Sequence, residues 1–312
     1  MTKKVLLTGA TGFVGSRLAR NLIAGGFDVT ILSSGRAGFA RIEDILDSIK
    51  VIRCRSGELI PPPEADHGPF DACVHVAWTT DPGKYIHSPD NIKCLRETLD
   101  LYSWLARSGC RRVVGVGSCF EYDLDFGLLR ETTPLKPNNH YTAAKISAFQ
   151  LGTEIFRAAG AEFAWARIFY LYGPGEHQAR LVPSVISGLL RKRPVDVTEG
   201  RQVRDFMHVD DAAEALKTIL ESPLQGPVNV GSGIPVTVRE IVSRLASITG
   251  ATDLVRFGSR PENPVDPPFI CASNALLRRL GWTPRIPLDR GLEETVGWHR
   301  ALLDSAGAAS PD

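Results

Sequence analysis

A glycine-rich turn near the amino terminus constrains the fold of this chain more than any other feature. The sequence Lys-Lys-Val-Leu-Leu-Thr reads as a short buried strand, and Gly9, Gly12 and Gly15 follow it directly. Apolar residues then recur at helical spacing. A strand, a glycine turn and a helix together form a site where the backbone N–H groups at the helix start bind a pyrophosphate. The spacing G-x-x-G-x-x-G is also compatible with a turn that merely packs a helix on a strand.

Predicted strands and helices alternate up to Ile168, a pattern typical of a parallel sheet covered on both faces. The sequence therefore predicts an α/β fold, a Rossmann-like doubly wound parallel sheet with a smaller C-terminal lobe. Residues 1–169 form the dinucleotide-binding domain in this prediction, residues 170–312 mainly the lobe, and the chain returns to the first domain near 209–230. Helices are predicted at residues 13–24, 89–107, 140–159, 181–190, 210–220, 238–247, 273–280 and 289–303, with Asp210 or Asp211 as the N-cap of the fifth.

Tyr141 and Lys145 are four residues apart in the predicted helix 140–159, which places them on one helical face. A neighbouring ammonium favours the phenolate, so we expect it to lower the pKa of Tyr141 from its usual value of about 10. Ser118 follows the predicted strand 112–116, at the sheet edge where ligands bind in parallel sheets. Each motif taken alone has an alternative interpretation. Tyr141 would be a surface tyrosine that happens to lie beside Lys145, and Ser118 would be a serine that caps a turn.

The second predicted strand ends without a carboxylate, which NAD-binding proteins commonly place there to bind the ribose hydroxyls. Ser33, Ser34 and Arg36 occupy this position. Hydroxyls and a guanidinium suit a 2′-phosphate, so the sequence favours NADP(H) and leaves NAD(H) open. The alternative is that Arg36 is an ordinary solvated loop charge.

Taken together, these motifs resemble the extended short-chain dehydrogenase/reductases, in the branch of nucleotide-sugar epimerases, dehydratases and reductases. The resemblance covers nearly the whole chain. It rests on Thr-Gly-Ala-Thr-Gly-Phe-Val-Gly at 8–15, Asp-Ala-Cys-Val-His-Val-Ala at 71–77, Ser118, Tyr141 and Lys145, Arg167, Tyr-Gly-Pro at 172–174, Arg-Asp-Phe-Met-His-Val-Asp-Asp at 204–211, Arg-Pro at 260–261 and Leu-Gly-Trp-Thr-Pro at 280–284.

The resemblance implies roles for individual residues. Ser118, Tyr141 and Lys145 are the implied catalytic triad, with Tyr141 as acid or base at a sugar oxygen, Lys145 on the ribose and Ser118 orienting the sugar. The implied cofactor-binding residues are Gly9, Gly12, Phe13, Val14, Gly15, Ser33, Ser34, Arg36, Ala77, Tyr141 and Lys145. The implied substrate-binding residues are Ser118, Cys119, Tyr170, His177, Arg180, Arg204 and Arg260, of which Arg204 and Arg260 match positions that contact the nucleotide diphosphate. His177 is also a candidate second acid.

Departures from the family pattern reduce the number of reactions that this chain could catalyse. Family dehydratases follow the triad Ser/Thr with an Asp-Glu pair that drives water loss, whereas this chain has Cys119 and Phe120, which cannot perform the acid–base chemistry on a sugar C5–C6 unit. This leaves NADPH-dependent reduction of a nucleotide-activated 4-keto(-6-deoxy) sugar, which we favour, and NAD-dependent C4 epimerisation. A non-catalytic NADP-binding sensor is less favoured because the Tyr/Lys pair is kept. Trp78 and Tyr170 replace a small residue and an asparagine, and either change would suit the sugar pocket or packing.

Composition limits the other classes of function. The 312 residues are 43% hydrophobic and carry a net charge of +1 without a long basic run, which indicates neither nucleic-acid nor membrane binding. Six cysteines lack C-x-x-C spacing and seven histidines lack metal-binding motifs, so we expect reduced thiols in a cytoplasmic protein and no metal. We expect His75 to be a core histidine with satisfied ring nitrogens. The resemblance further implies a homodimer through a four-helix interface of helices 89–107 and 140–159.

Overall fold

The computed structural model describes residues 2–35, 38–55, 58–65 and 67–308, and it shows an α/β protein. The strands are β1 (Lys4–Thr8), β2 (Asp28–Ser33), β3 (Lys50–Arg53), β4 (Ala72–His75), β5 (Arg112–Ser118), β6 (Leu128–Leu129), β7 (Glu162–Ile168), β8 (Tyr170–Tyr172), β9 (Val195–Val197), β10 (Val203–His208), β11 (Gly226–Val230), β12 (Pro235–Thr237), β13 (Val255–Phe257) and β14 (Phe269–Ala272). The α-helices are α1 (Phe13–Ala24), α2 (Asp90–Arg107), α3 (His140–Ala158), α4 (Leu181–Leu190), α5 (Val209–Glu221), α6 (Val238–Thr249), α7 (Ala275–Arg279) and α8 (Leu288–Ala308).

The large sheet has seven parallel strands in the order β11-β7-β5-β4-β1-β2-β3. The strand order reverses between β1 and β4, so the carboxyl ends of these two strands border a crevice, the position where doubly wound sheets bind their ligands. The predicted Rossmann-like parallel sheet is confirmed.

Both faces of the sheet are buried, which explains the continuous apolar runs of its strands. Val5 and Leu7 of β1 lie in a core that also contains apolar residues of α1 and α5, whereas Leu6 lies in the core that contains residues of α2 and α3. The helices therefore hold the carboxyl ends of β1, β4 and β5 at fixed relative positions.

Later parts of the chain contribute to both units of the fold. Strand β11 lies beside β7 at the edge of the large sheet, and α5 packs on α1. Strand β10 pairs with β8, β12 and β14, and a third core lies among α4, α6 and α8. In the described part of the chain, no helix has the length and apolar character needed to cross a membrane.

The sequence predicted most helix boundaries to within two residues, but it missed strand β11 at the edge of the large sheet. It also missed the short strands β6, β8, β9, β12, β13 and β14. Their two to four residues are too few to show an alternating pattern. The predicted N-cap of α5 was wrong. His208 occupies that position and its Nδ1 accepts a hydrogen bond from the Asp210 N–H, so both aspartates lie in the first turn, where their charge suits the helix dipole.

Candidate active site

A cleft of about 960 Å³ opens at the carboxyl ends of β1, β4 and β5, between the large sheet and the C-terminal lobe. Most residues predicted for the site line it, and these are Gly9, Gly12, Phe13, Val14, Gly15, Ser34, Ala77, Ser118, Cys119, Tyr141, Lys145, Tyr170, His177, Arg180 and Arg204. Ser33 is buried beside it, with its hydroxyl accepting the Gly35 N–H, and Arg260 is exposed outside it. Arg36 lies outside the described residues.

The glycine turn is shaped by close backbone approach. Gly9 has a φ of +74°, and a Cβ there would lie 2.7 Å from the Ala77 nitrogen. A Cβ on Gly15 would overlap the Gly9 carbonyl. Gly12 occupies the N-cap of α1 and provides no side-chain cap, and the first turn of the helix has no acidic residue. Its N–H groups and the positive end of its dipole therefore face the cleft, which fits the pyrophosphate of a dinucleotide.

His75 supports the turn from below. Its Nδ1 lies 2.8 Å from Thr8 Oγ1 and its Nε2 lies 2.9 Å from Thr98 Oγ1, while the Ala77 N–H donates to Thr8 Oγ1. Burial, and to a smaller extent the charge of Lys145, lower the pKa of His75 to about 3. His75 is therefore the neutral core histidine with satisfied ring nitrogens that the sequence predicted.

Tyr141 and Lys145 lie in the first two turns of α3, which a capping box between Asn139 and Thr142 fixes in place. Both are buried, and Lys145 Nζ donates to the Val116 carbonyl at 2.7 Å. Burial lowers the pKa of Lys145 to about 7, although Glu121 partly opposes this.

The pKa of Tyr141 is raised, not lowered as the sequence suggested. Burial is the main cause and Tyr85 adds to it, while a hydrogen bond with Ser118 opposes it. The expectation failed because it considered the charge of Lys145 and ignored the loss of water around the phenol.

Glu121 fixes the end of β5 that carries Ser118. Its Oε1 accepts the Ser118 N–H at 2.8 Å, and its Oε2 accepts Arg167 Nε at 2.7 Å and Trp165 Nε1 at 2.9 Å. Glu121 is 0% exposed and Arg167 is 1% exposed. Gly117 permits this arrangement, because a Cβ there would overlap Trp165 and Glu121. The carboxylate is therefore fully occupied inside the protein and does not reach the cleft.

Beyond Ser118 the cleft wall is largely apolar and aromatic. Cys119 and Phe120 line it, and the Phe120 ring packs edge-on against Tyr170 at 5.9 Å. Arg204 lies 5.5 Å from the Tyr170 ring, donates to Asp266 at 2.6 Å and to the Pro267 carbonyl, and so already has an internal ion-pair partner.

Several charged residues of the cleft were not predicted from the sequence. Arg41 donates to the Thr11 carbonyl at 3.4 Å and to the Gly175 carbonyl at 3.2 Å, so it bridges the glycine turn and the loop that follows β8. Glu176 lies in that loop, and its Oε2 is buried with no hydrogen-bond partner in the described part of the chain. Burial raises the pKa of Glu176 to about 8, and Arg180 opposes the shift. The sequence signal that could have predicted Glu176 as a cleft residue is its position directly after Tyr-Gly-Pro-Gly.

The fold and the cleft define an enzyme of the extended short-chain dehydrogenase/reductase class. Within that class the chain belongs to the NAD dependent epimerase/dehydratase family, whose model matches residues 5–231.

Among curated relatives, UDP-glucuronic acid decarboxylase 1 of Danio rerio is 27% identical over 97% of this chain and 74% of its own length. UDP-glucose 4-epimerase of Azospirillum brasilense is 27% identical over 98% of this chain and 94% of its own length. A solved structure of MoeE5 in complex with UDP-glucuronic acid and NAD is 27% identical, with a TM-score of 0.78 over 96% of this chain and 99% of that one.

Proposed function

We propose that this protein reduces a nucleotide-activated 4-keto-6-deoxy sugar with NADPH, and that Tyr141 donates the proton to the C4 oxygen. The observation that carries the proposal is the convergence of Ser118, Tyr141 and Lys145 in one cleft with the glycine turn. The two relatives named above, UDP-glucuronic acid decarboxylase 1 and UDP-glucose 4-epimerase, act on UDP sugars by their names, which supports a nucleotide-diphosphate sugar as the substrate.

The three polar side chains have distinct tasks in this proposal. A bound nicotinamide cofactor supplies the hydride. Ser118 orients the sugar oxygen, and Lys145 binds the ribose of the cofactor. The raised pKa of Tyr141 keeps its phenol protonated, which is the form that a proton donor needs. Reduction uses this form directly, whereas oxidation of an alcohol requires the phenolate.

The residues after Ser118 argue against water elimination. Cys119 and Phe120 offer the cleft a thiol and a phenyl ring, and burial holds the pKa of the Cys119 thiol far above its usual range. The carboxylate that follows them in the chain, Glu121, is buried in its pair with Arg167. These observations support a reaction that changes C4 without removing a hydroxyl group.

NADP(H) is the cofactor we favour. Ser34 lines the cleft where β2 ends, and Arg41 lines the same cleft. The guanidinium of Arg41 suits a 2′-phosphate, and the serines that end β2 do not repel one. The contact of Arg36 with the 2′-phosphate stays a prediction.

NAD-dependent C4 epimerisation is the second candidate. It is favoured by the similarity to a UDP-glucose 4-epimerase and by the NAD in the MoeE5 structure. An epimerase must take a hydride from C4 onto its cofactor and a proton from the C4 hydroxyl, and must return both within one turnover, so its cofactor stays bound throughout. This requirement separates the two candidates experimentally.

The first experiment is to denature freshly purified protein and identify the released nicotinamide nucleotide by mass spectrometry. A stoichiometric amount of NAD or NADH would favour the epimerase and contradict the NADP(H) proposal. Little nucleotide, or NADP(H) that exchanges freely, would favour the reductase.

The second experiment measures NADPH oxidation at 340 nm with dTDP-, CDP-, UDP- and GDP-linked 4-keto-6-deoxyhexoses. We expect turnover with one nucleotide series and loss of most turnover in Tyr141→Phe, with NADPH binding kept. Turnover that is unchanged in Tyr141→Phe would refute the acid role. NADPH binding without turnover on any of these ketones or on UDP-glucose would favour the sensor.

We also propose that the protein is a homodimer through α2 and α3, which pack on each other along the same side of the sheet. Ile92 of α2 is 65% exposed and Leu151 of α3 is 47% exposed. Light scattering should give twice the chain mass, and Ile92→Lys with Leu151→Lys should give the mass of one chain. A native protein that already elutes as a monomer would contradict this proposal.

A further inference from the structure

Two aromatic side chains pack on the face of α3 that carries Tyr141 and Lys145. The Tyr85 ring lies 4.8 Å from the Tyr141 ring at an angle of 89°, and the Trp78 ring lies 6.4 Å from it at 84°. Lys145 Nζ lies 3.8 Å from the centroid of the Trp78 ring. Trp78 therefore contacts both residues, although the resemblance alone left its role open between packing and the pocket.

A single buried amide binds the ring of Trp78 and the main chain of Tyr85. Asn91, near the start of α2, is 2% exposed. Its Oδ1 accepts the Trp78 Nε1–H at 2.9 Å, and its Nδ2 donates to the Tyr85 carbonyl at 2.6 Å and to the Ser88 carbonyl at 2.9 Å. The acceptor and both donors of the amide are thus used, so the side chain has one orientation that satisfies all three partners.

We propose that Asn91, Trp78 and Tyr85 form an aromatic clamp that positions the Tyr141 phenol and the Lys145 ammonium for the reaction. In this clamp Asn91 and Trp78 are positioning residues. The inference rests on the proposed roles of Tyr141 and Lys145, and it holds for either direction of hydride transfer.

The contacts around Lys145 explain why the ring matters. The Val116 carbonyl accepts one N–H of the ammonium, and the face of Trp78 covers it with the negative side of the ring quadrupole. This contact favours the charged form of Lys145 in a place where burial disfavours it. The titratable groups facing this site from the surrounding elements are Glu121 after β5, Cys94 of α2, His75 of β4 and Tyr141 of α3 itself.

The first test needs no substrate. The protein is labelled with ¹⁵N-lysine, the Lys145 signal is assigned with Lys145→Met, and its titration is followed by NMR in Trp78→Leu, Trp78→Phe and Asn91→Leu. Loss of the ring face should lower the Lys145 midpoint by about one pH unit in Trp78→Leu relative to the native protein. Trp78→Phe keeps a ring face and should lower the Lys145 midpoint less. The midpoint in Asn91→Leu should lie between those of Trp78→Leu and Trp78→Phe.

Trp104→Leu is the matched control, since Trp104 also lies on a core face of the protein, packed against Phe70 and His67. It removes an indole without touching Lys145, so it should lower the melting temperature and leave the Lys145 midpoint unchanged. An unchanged midpoint in Trp78→Leu, or an equal change in Trp104→Leu, would overturn the proposal.

The second test uses the 4-keto sugar nucleotide that supports turnover. Misplacement of the phenol should lower kcat about 10- to 100-fold in Trp78→Leu and Asn91→Leu, because positioning acts in the transition state, with KM close to the native value. Trp78→Phe should have a kcat between those of Trp78→Leu and the native protein. If Tyr141→Phe abolishes turnover and the clamp variants keep native kcat, the clamp is refuted and the proposed function stands. If Tyr141→Phe keeps turnover, the acid role itself fails, whatever the NMR titration shows.

Discussion

Replacing Glu121 with glutamine should destabilise this protein more than its small change in volume suggests. Glu121 and Arg167 form an ion pair at 2.7 Å in the interior, and the same carboxylate accepts hydrogen bonds from Ser118 N and Trp165 Nε1. Glu121→Gln keeps the shape but leaves the charge of Arg167 buried without a counter-charge, which costs about 3–5 kcal/mol. This is a large part of the 5–15 kcal/mol or so that stabilises a typical protein.

Urea denaturation followed by circular dichroism measures this loss in the free energy of unfolding. Glu154→Gln is the matched control, since Glu154 pairs with Arg157 on the surface of α3 and should change stability little. The double variant Glu121→Leu with Arg167→Met should recover part of the loss, because it leaves no unpaired charge. A Glu121→Gln protein as stable as the Glu154→Gln protein would refute this account of the pair.

Three further predictions concern the cleft. Gly15→Ala places a Cβ on the Gly9 carbonyl and should weaken NADPH binding at least about tenfold in a fluorescence titration, whereas Gly297→Ala, which has open space around it, should bind normally. Arg41→Ala should raise the Kd for NADPH about 10- to 100-fold through loss of a charge-assisted hydrogen bond and raise that for NADH much less, with the exposed Arg53→Ala as control; equal effects on both cofactors would contradict a 2′-phosphate contact. Glu176 has a pKa raised to about 8 from an ordinary 4.5, so the folded state binds more protons than the unfolded state between these two pH values. The stability of the protein should therefore fall as pH rises through that window. Glu176→Gln should remove this loss of stability, and identical pH–stability curves for the native protein and the variant would contradict the raised pKa of Glu176.

The sequence was informative where a motif is local. The glycine turn and the Tyr141–Lys145 spacing depend on neighbours within a few residues, and the structure brings these motifs to one cleft. Arg41, Glu176 and the Asn91 anchor were not found, because their roles arise from contacts between distant segments, such as the bond from Arg41 to Gly175. No periodicity encodes such contacts.

Charge effects were predicted least well. The ammonium of Lys145 was expected to govern the pKa of Tyr141, yet burial dominates the pKa of both groups and moves them in opposite directions. Burial raises the pKa of an acid whose ionised form is charged and lowers that of a base, so the two groups approach a state in which each is neutral. A sequence shows which residues are adjacent on a helix but not how much water surrounds them.

The departures from the family pattern lie in the lining of the cleft. Trp78 covers Lys145, while Phe120 packs against Tyr170 beyond Ser118. An apolar wall offers few hydrogen-bond partners, and a substrate hydroxyl buried against it would lose its bonds to water without replacement. A sugar that lacks a hydroxyl at the position facing Phe120 avoids this cost. We therefore expect the proposed reductase to prefer a deoxy sugar over a fully hydroxylated one, and a comparison of kcat/KM for matched 6-deoxy and 6-hydroxy substrates in the native protein and in Phe120→Ser measures that preference directly.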